Sequence, residues 1–244
     1  MVINGVTIHD HERVDDLRRN GFKLIQDPSR FCFGTDAVLL ADFVKASYKE
    51  DVIDLGTGNG IIPVLLAARG KGARITGLEI TAESAELARR NVIFNNLQEK
   101  VFIDDGDILT AGARYGPAFT VACANPPYNE AESGVTGKLS GERHELLCTL
   151  TGLIRNAAAL LKFGGRFYMV HKPQRLPDIF CSMRAHGLEA KTLRLVAARE
   201  GKPPSLALIG AVRGGKSGLT VMPHLVLHDS DGNYTAEADG IYNG

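Results

Sequence analysis

The sequence predicts an α/β protein built on a doubly wound, mostly parallel sheet of seven strands, and three observations carry that prediction. Strand-like and helix-like segments alternate from residue 51 to 212. The first of these strands runs into a glycine turn and straight on into an apolar helix, and a later apolar strand breaks off at Asn125-Pro126-Pro127-Tyr128. In such sheets ligands bind beyond the carboxyl ends of the strands, so the residues at those ends are where chemistry belongs.

Val52-Ile53-Asp54-Leu55 is a short apolar strand, followed by Gly56-Thr57-Gly58-Asn59-Gly60 and by the apolar run IIPVLLAARG, which suits a largely buried helix. Residues 74–80 (RITGLEI) read as a second strand, 82–96 as an amphipathic helix and 101–108 (VFIDDGDI) as a third strand. The fourth strand begins at Phe119 and ends at Asn125. Residues 144–162 have helical period and are expected to stop at Gly164-Gly165; residues 166–172 form the next strand, and 176–187 a helix closed by Gly187. Two further strands, at 188–196 and 205–214, precede an expected hairpin that turns at Ser230-Asp231-Gly232. This gives three regions: an amino-terminal segment, 1–50; the sheet domain, 51–216; and a hairpin extension, 217–244.

At 244 residues and 44% apolar composition the chain can bury a full core. No apolar run approaches the length of a membrane span, and the polar amino terminus is unlike a signal peptide, so a soluble, cytoplasmic protein is expected. Cys32, Cys123, Cys148 and Cys181 are scattered without metal-ligand spacing; they read as buried small apolar thiols, and no metal is expected. Net charge is zero but unevenly spread: residues 162–216 hold 11 Lys and Arg against 3 Asp and Glu. That block is either an electrostatic footprint for a polyanion or an ordinary solvated face. Asp229, Asp231 and Asn233 fail the spacing of a calcium loop and read as turn residues, while His144 and His171 have no assigned role.

The strand ends define a candidate site. A turn spaced G-x-G-x-G, with Gly56, Thr57, Gly58, Asn59 and Gly60, lets a ligand approach the backbone closely, and its spacing tilts away from dinucleotides. Glu79, with Ile80 beside it, ends the second strand, where a carboxylate can take both hydroxyls of a ribose, unless it is an ordinary strand-end acid. Asp107 ends the third and is placed to accept from an adenine amino group, unless it is only a turn former. Together these residues describe a pocket for an adenosyl group. Asn125-Pro126-Pro127-Tyr128 then lies next to it. The Asn125 side-chain oxygen and the Pro126 carbonyl, aimed by the fixed φ angles of Pro126 and Pro127, can each accept one N–H of an exocyclic amine. Both would favour a more pyramidal, more positive nitrogen as it takes a methyl group. Tyr128 offers a flat face for a flipped base; a core tyrosine in a proline-rich loop is the plainer alternative.

On these residues the chain resembles class I, S-adenosylmethionine-dependent methyltransferases with an N-P-P-Y motif, which act on planar amino groups. DLGTGNGIIP, GLEI, GD and NPPY match their cofactor and catalytic motifs. More narrowly it is similar to the bacterial tRNA1(Val) adenine-37 N6-methyltransferase family, through FGTDAVLLADF (33–43), ERHELLCTL (142–150) and the tail GGKSGLTVMPHLVLHDSDGNYT. The resemblance implies a Rossmann-like fold, S-adenosyl-L-methionine as cofactor and tRNA as partner. It implies that Asp54, Gly56, Gly58, Glu79, Asp107 and Asn125 line the cofactor site, that Thr35 and Asp36 cover it or the base pocket, and that Asn125, Pro126 and Tyr128 hold the adenine. It also implies that the basic block meets tRNA backbone. Segment 129–145 is small, polar and glycine-containing, and by that composition reads as a mobile loop that closes over substrate, unless it is merely a connector. Two other functions stay open: methylation of a glutamine side-chain amide in a protein such as a peptide release factor, and a noncatalytic cofactor- or RNA-binding paralogue. DNA adenine methylation shares the chemistry, but no target-recognition domain is visible.

Overall fold

The computed structural model describes residues 2–30, 32–128 and 150–243. Segment 129–145, His144, Cys148 and the expected helical residues 144–149 lie outside the described residues; of the other three cysteines Cys123 is buried as expected, whereas Cys32 is half-buried and Cys181 is exposed.

The amino-terminal segment forms two small hairpins and a helix. β1 (Val2–Ile3) and β2 (Val6–Thr7) are joined by Asn4-Gly5, both at positive φ (51° and 77°), as a tight two-residue hairpin turn requires. β3 (Arg13–Asp16) pairs with β4 (Lys23–Gln26), and α1 (Thr35–Phe43) follows.

The main sheet is built from β5 (Asp51–Leu55), β6 (Arg74–Glu79), β7 (Val101–Asp105), β8 (Phe119–Ala124), β9 (Leu161–His171), β10 (Leu188–Arg199) and β11 (Leu206–Arg213). Two short strands, β12 (Thr220–Val221) and β13 (Leu225–His228), both pair in parallel with β10 and bring the count from the expected seven to nine. The order is β12-β10-β11-β9-β8-β5-β6-β7, antiparallel only where β11 meets its two neighbours. Successive strand residues alternate between two cores: Val52, Val121 and Cys123 pack under α1 and α2 (Ile61–Ala68), while Ile53, Ala122 and Ala124 face the helices of the other side.

Three boundaries differ from expectation. The third strand stops at Asp105, and an unforeseen helix, α4 (Ile108–Tyr115), takes over after it. The described helix α5 (Leu150–Leu160) gives way directly to β9, so Gly164-Gly165 does not stop a helix. It sits instead in an irregularity where pairing with β8 jumps from Phe119↔Leu161 to Val121↔Arg166, and Phe163 is thrown out to 84% exposure. The expected carboxyl-terminal hairpin keeps its turn: Asp229 Oδ1 accepts from the backbone of Asp231 and Asn233 at 3.0 and 2.9 Å. Its second arm is a single bridge, His228 to Tyr234, before the chain coils into α7 (Ala236–Asn243). Arg69 donates to the Ile241 carbonyl at 2.8 Å, and Arg19 reaches the Gly240 and Ile241 carbonyls, so two cations hold the last turn of α7.

Asn91, fully buried on α3 (Ala82–Phe94), ties the amino-terminal segment to the sheet domain. Its Oδ1 accepts from Ile25 N (2.6 Å), and its Nδ2 donates to Ile25 O (2.9 Å) and to Asn59 O in the glycine turn (3.0 Å). Arg90 beside it makes a two-pronged ion pair with the buried Glu12 carboxylate at 2.6 and 2.8 Å. Asn91→Ala leaves three backbone groups without partners in a dry site and should destabilise the fold by about 2–4 kcal/mol. Urea unfolding, followed by circular dichroism, measures this as a lower midpoint at unchanged slope.

Candidate functional site

The parallel pairing of β5 with β6 and β8 puts three strand ends on one rim: Leu55 lies opposite Leu78 and opposite Ala124. At that rim Gly56 N and Thr57 N both donate to Leu78 O (2.9 and 3.0 Å), and Gly60 starts α2 in a left-handed conformation with φ of 82°. Gly58, φ 57°, has open space where a side chain would be, so the turn leaves a bare backbone facing outward. Glu79 is buried and locks the turn: Oε2 accepts from Gly58 N and Oε1 from Thr81 N, each at 2.9 Å. Each carboxylate oxygen keeps a further lone pair for a ligand hydroxyl.

Not every residue predicted for the pocket faces it. Thr57 packs against β6, where a Cβ on Gly77 would come within 2.8 Å of its methyl group. Asn59 is buried and accepts from Ile61 N at 3.3 Å, starting α2. Asp54 is fully buried at the end of β5; its Oδ1 accepts from the Cys123 thiol at 3.5 Å, while its Oδ2 and the Thr57 hydroxyl make no hydrogen bond of full geometry among the described residues, although Thr57 and Cys123 both act to lower the carboxyl's pKa. Burial first, and then the nearby charge of Glu79, push the Asp54 carboxyl up to about 7.

Asp107 does not end a strand. It caps α4, accepting from Leu109 N at 2.7 Å, which uses one of its oxygens. Ile80, 41% exposed just past β6, and Ile108, whose tip would sit 3.5 Å from a Cβ on Gly56, add an apolar lining between Glu79 and Asp107. Ile108 escaped the sequence reading because it was assigned to a strand rather than to the first turn of a helix.

Asn125 follows directly after β8, with Pro126, Pro127 and Tyr128 leaving the sheet in irregular backbone. The Tyr128 hydroxyl lies 2.6 Å from Asp36 Oδ2 and 2.9 Å from Asn125 Oδ1. Burial, and then Asp36, push the phenol far above its ordinary range. Its ring meets His171 edge-on at 5.4 Å, and the Lys172 ammonium lies 5.1 Å from its centroid. His171 is 3% exposed, accepts at Nδ1 from Lys172 N (2.8 Å), and is driven by burial, and then by Arg175, down to about 4, so it is a neutral wall at neutral pH. Thr35 begins α1 at the surface, and Asp36 turns inward to Tyr128. The sequence could not pair Asp36 with Tyr128, because 92 residues separate them.

The basic block 162–216 is not one surface. β9 and β10 run toward the site and β11 runs away, so Lys172 and Arg199 lie at the site's end of the sheet, with Lys162 and Arg213 at the other. Arg166, Arg175, Arg184 and Arg194 are paired with Glu50, Asp178, Glu189 and Glu237. Among the described residues no cluster of three or more His, Cys, Asp or Glu suits a metal ion, and no helix is long and apolar enough to cross a membrane.

A strand-end glycine turn locked by an acid, beside a strand that ends in N-P-P-Y, defines a class I methyltransferase framework. The sequence profile of the methyltransferase small domain matches residues 29–181, and the chain belongs to that family. A relative from Photorhabdus laumondii, named tRNA1(Val) (adenine(37)-N6)-methyltransferase, is 29% identical over 91% of this chain and 93% of its own. The crystal structure of a predicted O-methyltransferase from Agrobacterium tumefaciens is 25% identical with a TM-score of 0.68, covering 86% of this chain and 96% of that one. The geranyl diphosphate C-methyltransferase of Streptomyces coelicolor, solved with S-adenosyl-L-homocysteine, shares the fold at 17% identity, with a TM-score of 0.54 over 72% of this chain and 76% of that one.

The raised carboxyl of Asp54 has a measurable sign. Between about 4 and about 7 the folded protein keeps a proton that the unfolded chain has lost. The group's contribution to stability is therefore full below pH 4 and is lost as pH rises through 7. Urea unfolding of the free protein at stepped pH should show wild type losing stability relative to Asp54→Asn across that window; parallel curves would contradict the assignment.

Proposed function

We propose that this chain transfers the methyl group of S-adenosylmethionine to the exocyclic N6 of an adenine in tRNA, adenine 37 of a valine tRNA, in the cytoplasm. The observation that carries the reading is the Asn125 carboxamide, held at the end of β8 beside the glycine turn of the neighbouring strand. Family membership and the name of the Photorhabdus relative support it.

The residues present fit the cofactor. Bare backbone at Gly58 admits close approach; Glu79 has lone pairs left for ribose hydroxyls, and Ile80 and Ile108 offer apolar surface to a purine, with the remaining oxygen of Asp107 at its edge. When bound, S-adenosylmethionine supplies an electrophilic methyl group: the N6–CH₃ bond forms as the S–CH₃ bond breaks, and that electron pair stays on sulfur.

The protein's part is to make the adenine nitrogen a nucleophile. Its lone pair is delocalised into the ring, and two acceptors on its two N–H bonds favour the pyramidal form in which the pair is free. Asn125 Oδ1 takes one N–H and the Pro126 carbonyl the other. As the nitrogen becomes cationic both contacts strengthen, and the extra proton then leaves to water without a strong base. The Tyr128 ring carries the flipped base, and Lys172 is placed to meet a nearby phosphate.

Methyl transfer from labelled S-adenosylmethionine to total tRNA, run beside release-factor protein, tests the reading. Label should appear in N6-methyladenosine; label only in protein would replace adenine with glutamine as the acceptor. Asn125→Ala should lower kcat by about 10²- to 10³-fold while cofactor affinity changes little; an active variant would sink the mechanism.

A further inference from the structure

A phenol has one proton, yet the Tyr128 hydroxyl sits within hydrogen-bond distance of two oxygens, Asp36 Oδ2 at 2.6 Å and Asn125 Oδ1 at 2.9 Å. It cannot donate to both. A carboxylate is the stronger acceptor, and the shorter contact is the one to Asp36, so the proton belongs there. That leaves two oxygens, Tyr128 Oη and Asn125 Oδ1, facing each other without a hydrogen between them. A half-turn of the carboxamide exchanges its oxygen and nitrogen at no cost in shape. The NH₂ group then donates to the phenol, and the freed Oδ1 points away from it.

We propose that Asp36 is a positioning residue for methyl transfer: by fixing the Tyr128 proton it orients the Asn125 carboxamide with its oxygen toward the substrate amine. This rests on the role given to Asn125 above and extends it through Tyr128 to a second side chain, which acts by way of the phenol. The opposite orientation, with Tyr128 donating to Asn125, would aim Oδ1 at the phenol and turn an NH₂ group toward the NH₂ group of the substrate.

The surroundings are built for that orientation. Asp36 is nine-tenths buried, and its Oδ1 is held by the backbone of Ala37 at 2.9 Å, which leaves Oδ2 for the phenol. A Cβ on Gly34 would lie 2.9 Å from Oδ1, so the residue before α1 must be small for the carboxylate to fold back. On the far side the tyrosine is fixed by His171, 5.4 Å away between ring centroids. Asp36 thus brings the charge, Tyr128 relays it, and Asn125 reads it.

The test is a double-mutant cycle in kcat, measured at saturating cofactor on the RNA that accepts label, with KM for RNA and cofactor affinity read separately. Tyr128→Phe keeps the ring and loses the relay; Asp36→Asn keeps the shape and loses the charge. Each should lower kcat by about ten- to hundredfold with KM and cofactor affinity within about threefold. The double variant should be no slower than Tyr128→Phe alone, because Asp36 acts only through the hydroxyl. Losses that multiply, or a weakened cofactor affinity with intact kcat in Asp36→Asn, would overturn the proposal and return Asp36 to a cofactor-covering role. If Asp36→Asn does not fold, as urea unfolding shows directly, Tyr128→Phe decides alone: unchanged kcat overturns the relay. Asn125→Ala, run alongside, separates the two failures, since an active Asn125→Ala enzyme removes the underlying mechanism whatever the cycle gives.

Discussion

Parallel pairing is the constraint on which everything at this site depends. Strands that share one direction end on one rim, and here Leu55, Glu79, Asp105 and Ala124 finish within a residue or two of each other in register. The backbone lost from the ladder at those ends needs other partners, and it finds them across the rim: Gly56 and Thr57 bond to Leu78, Gly106 to Glu79, and Gly58 to the Glu79 side chain. The turn that bares its backbone is thereby rigid before anything binds, so little ordering cost falls on the ligand.

Rigidity of the rim is extended by contacts from outside the sheet. Asn91 holds Ile25 on one side and Asn59 on the other, so the amino-terminal hairpin and the glycine turn are set by the same buried amide. α1 then carries Asp36 to Tyr128 across the top of the core formed by β5, β8 and β9. The amino-terminal segment therefore reaches the rim directly: its Asp36 lies against the Tyr128 phenol, and the phenol contacts Asn125, the residue that follows β8.

Much of this was legible in the sequence because apolar strands bounded by Gly, Pro and acidic residues leave a strong local signal. The seven expected strands exist in the expected order, though β7 ends early and β9 begins early, and the glycine turn, Glu79 and Asn125-Pro126-Pro127-Tyr128 lie at strand ends as that signal indicates. The misses share a cause in the opposite direction. α4 is eight residues long with a glycine inside, so its period is too short to read, and Asp107 was consequently placed on a strand instead of at a helix cap. Gly164-Gly165 reads as a helix stop because local sequence cannot tell such a stop from an irregularity within a strand. Whether the basic block is a footprint or an ordinary solvated face stays open in the sequence, because charge counted along the chain ignores the reversal at β11. The pairing of Asp36 with Tyr128 is a tertiary fact with no local trace.

The grip of Arg19 and Arg69 on the Ile241 carbonyl has a consequence for the order in which the molecule matures. These bonds join residues 222 and 172 positions apart. At about 5–20 residues per second of synthesis, Arg19 waits roughly 10–45 s for its partner. Over that interval Leu17 and Leu24 of the amino-terminal hairpin lack Ala238 and Ile241, which share their apolar cluster in the finished chain. Closure of this belt is a late, long-range step of assembly. The helix bearing Asp36 packs on α7 and gains its final support only when the belt closes, so the nascent chain cannot complete its catalytic end until after the ribosome has made residue 241.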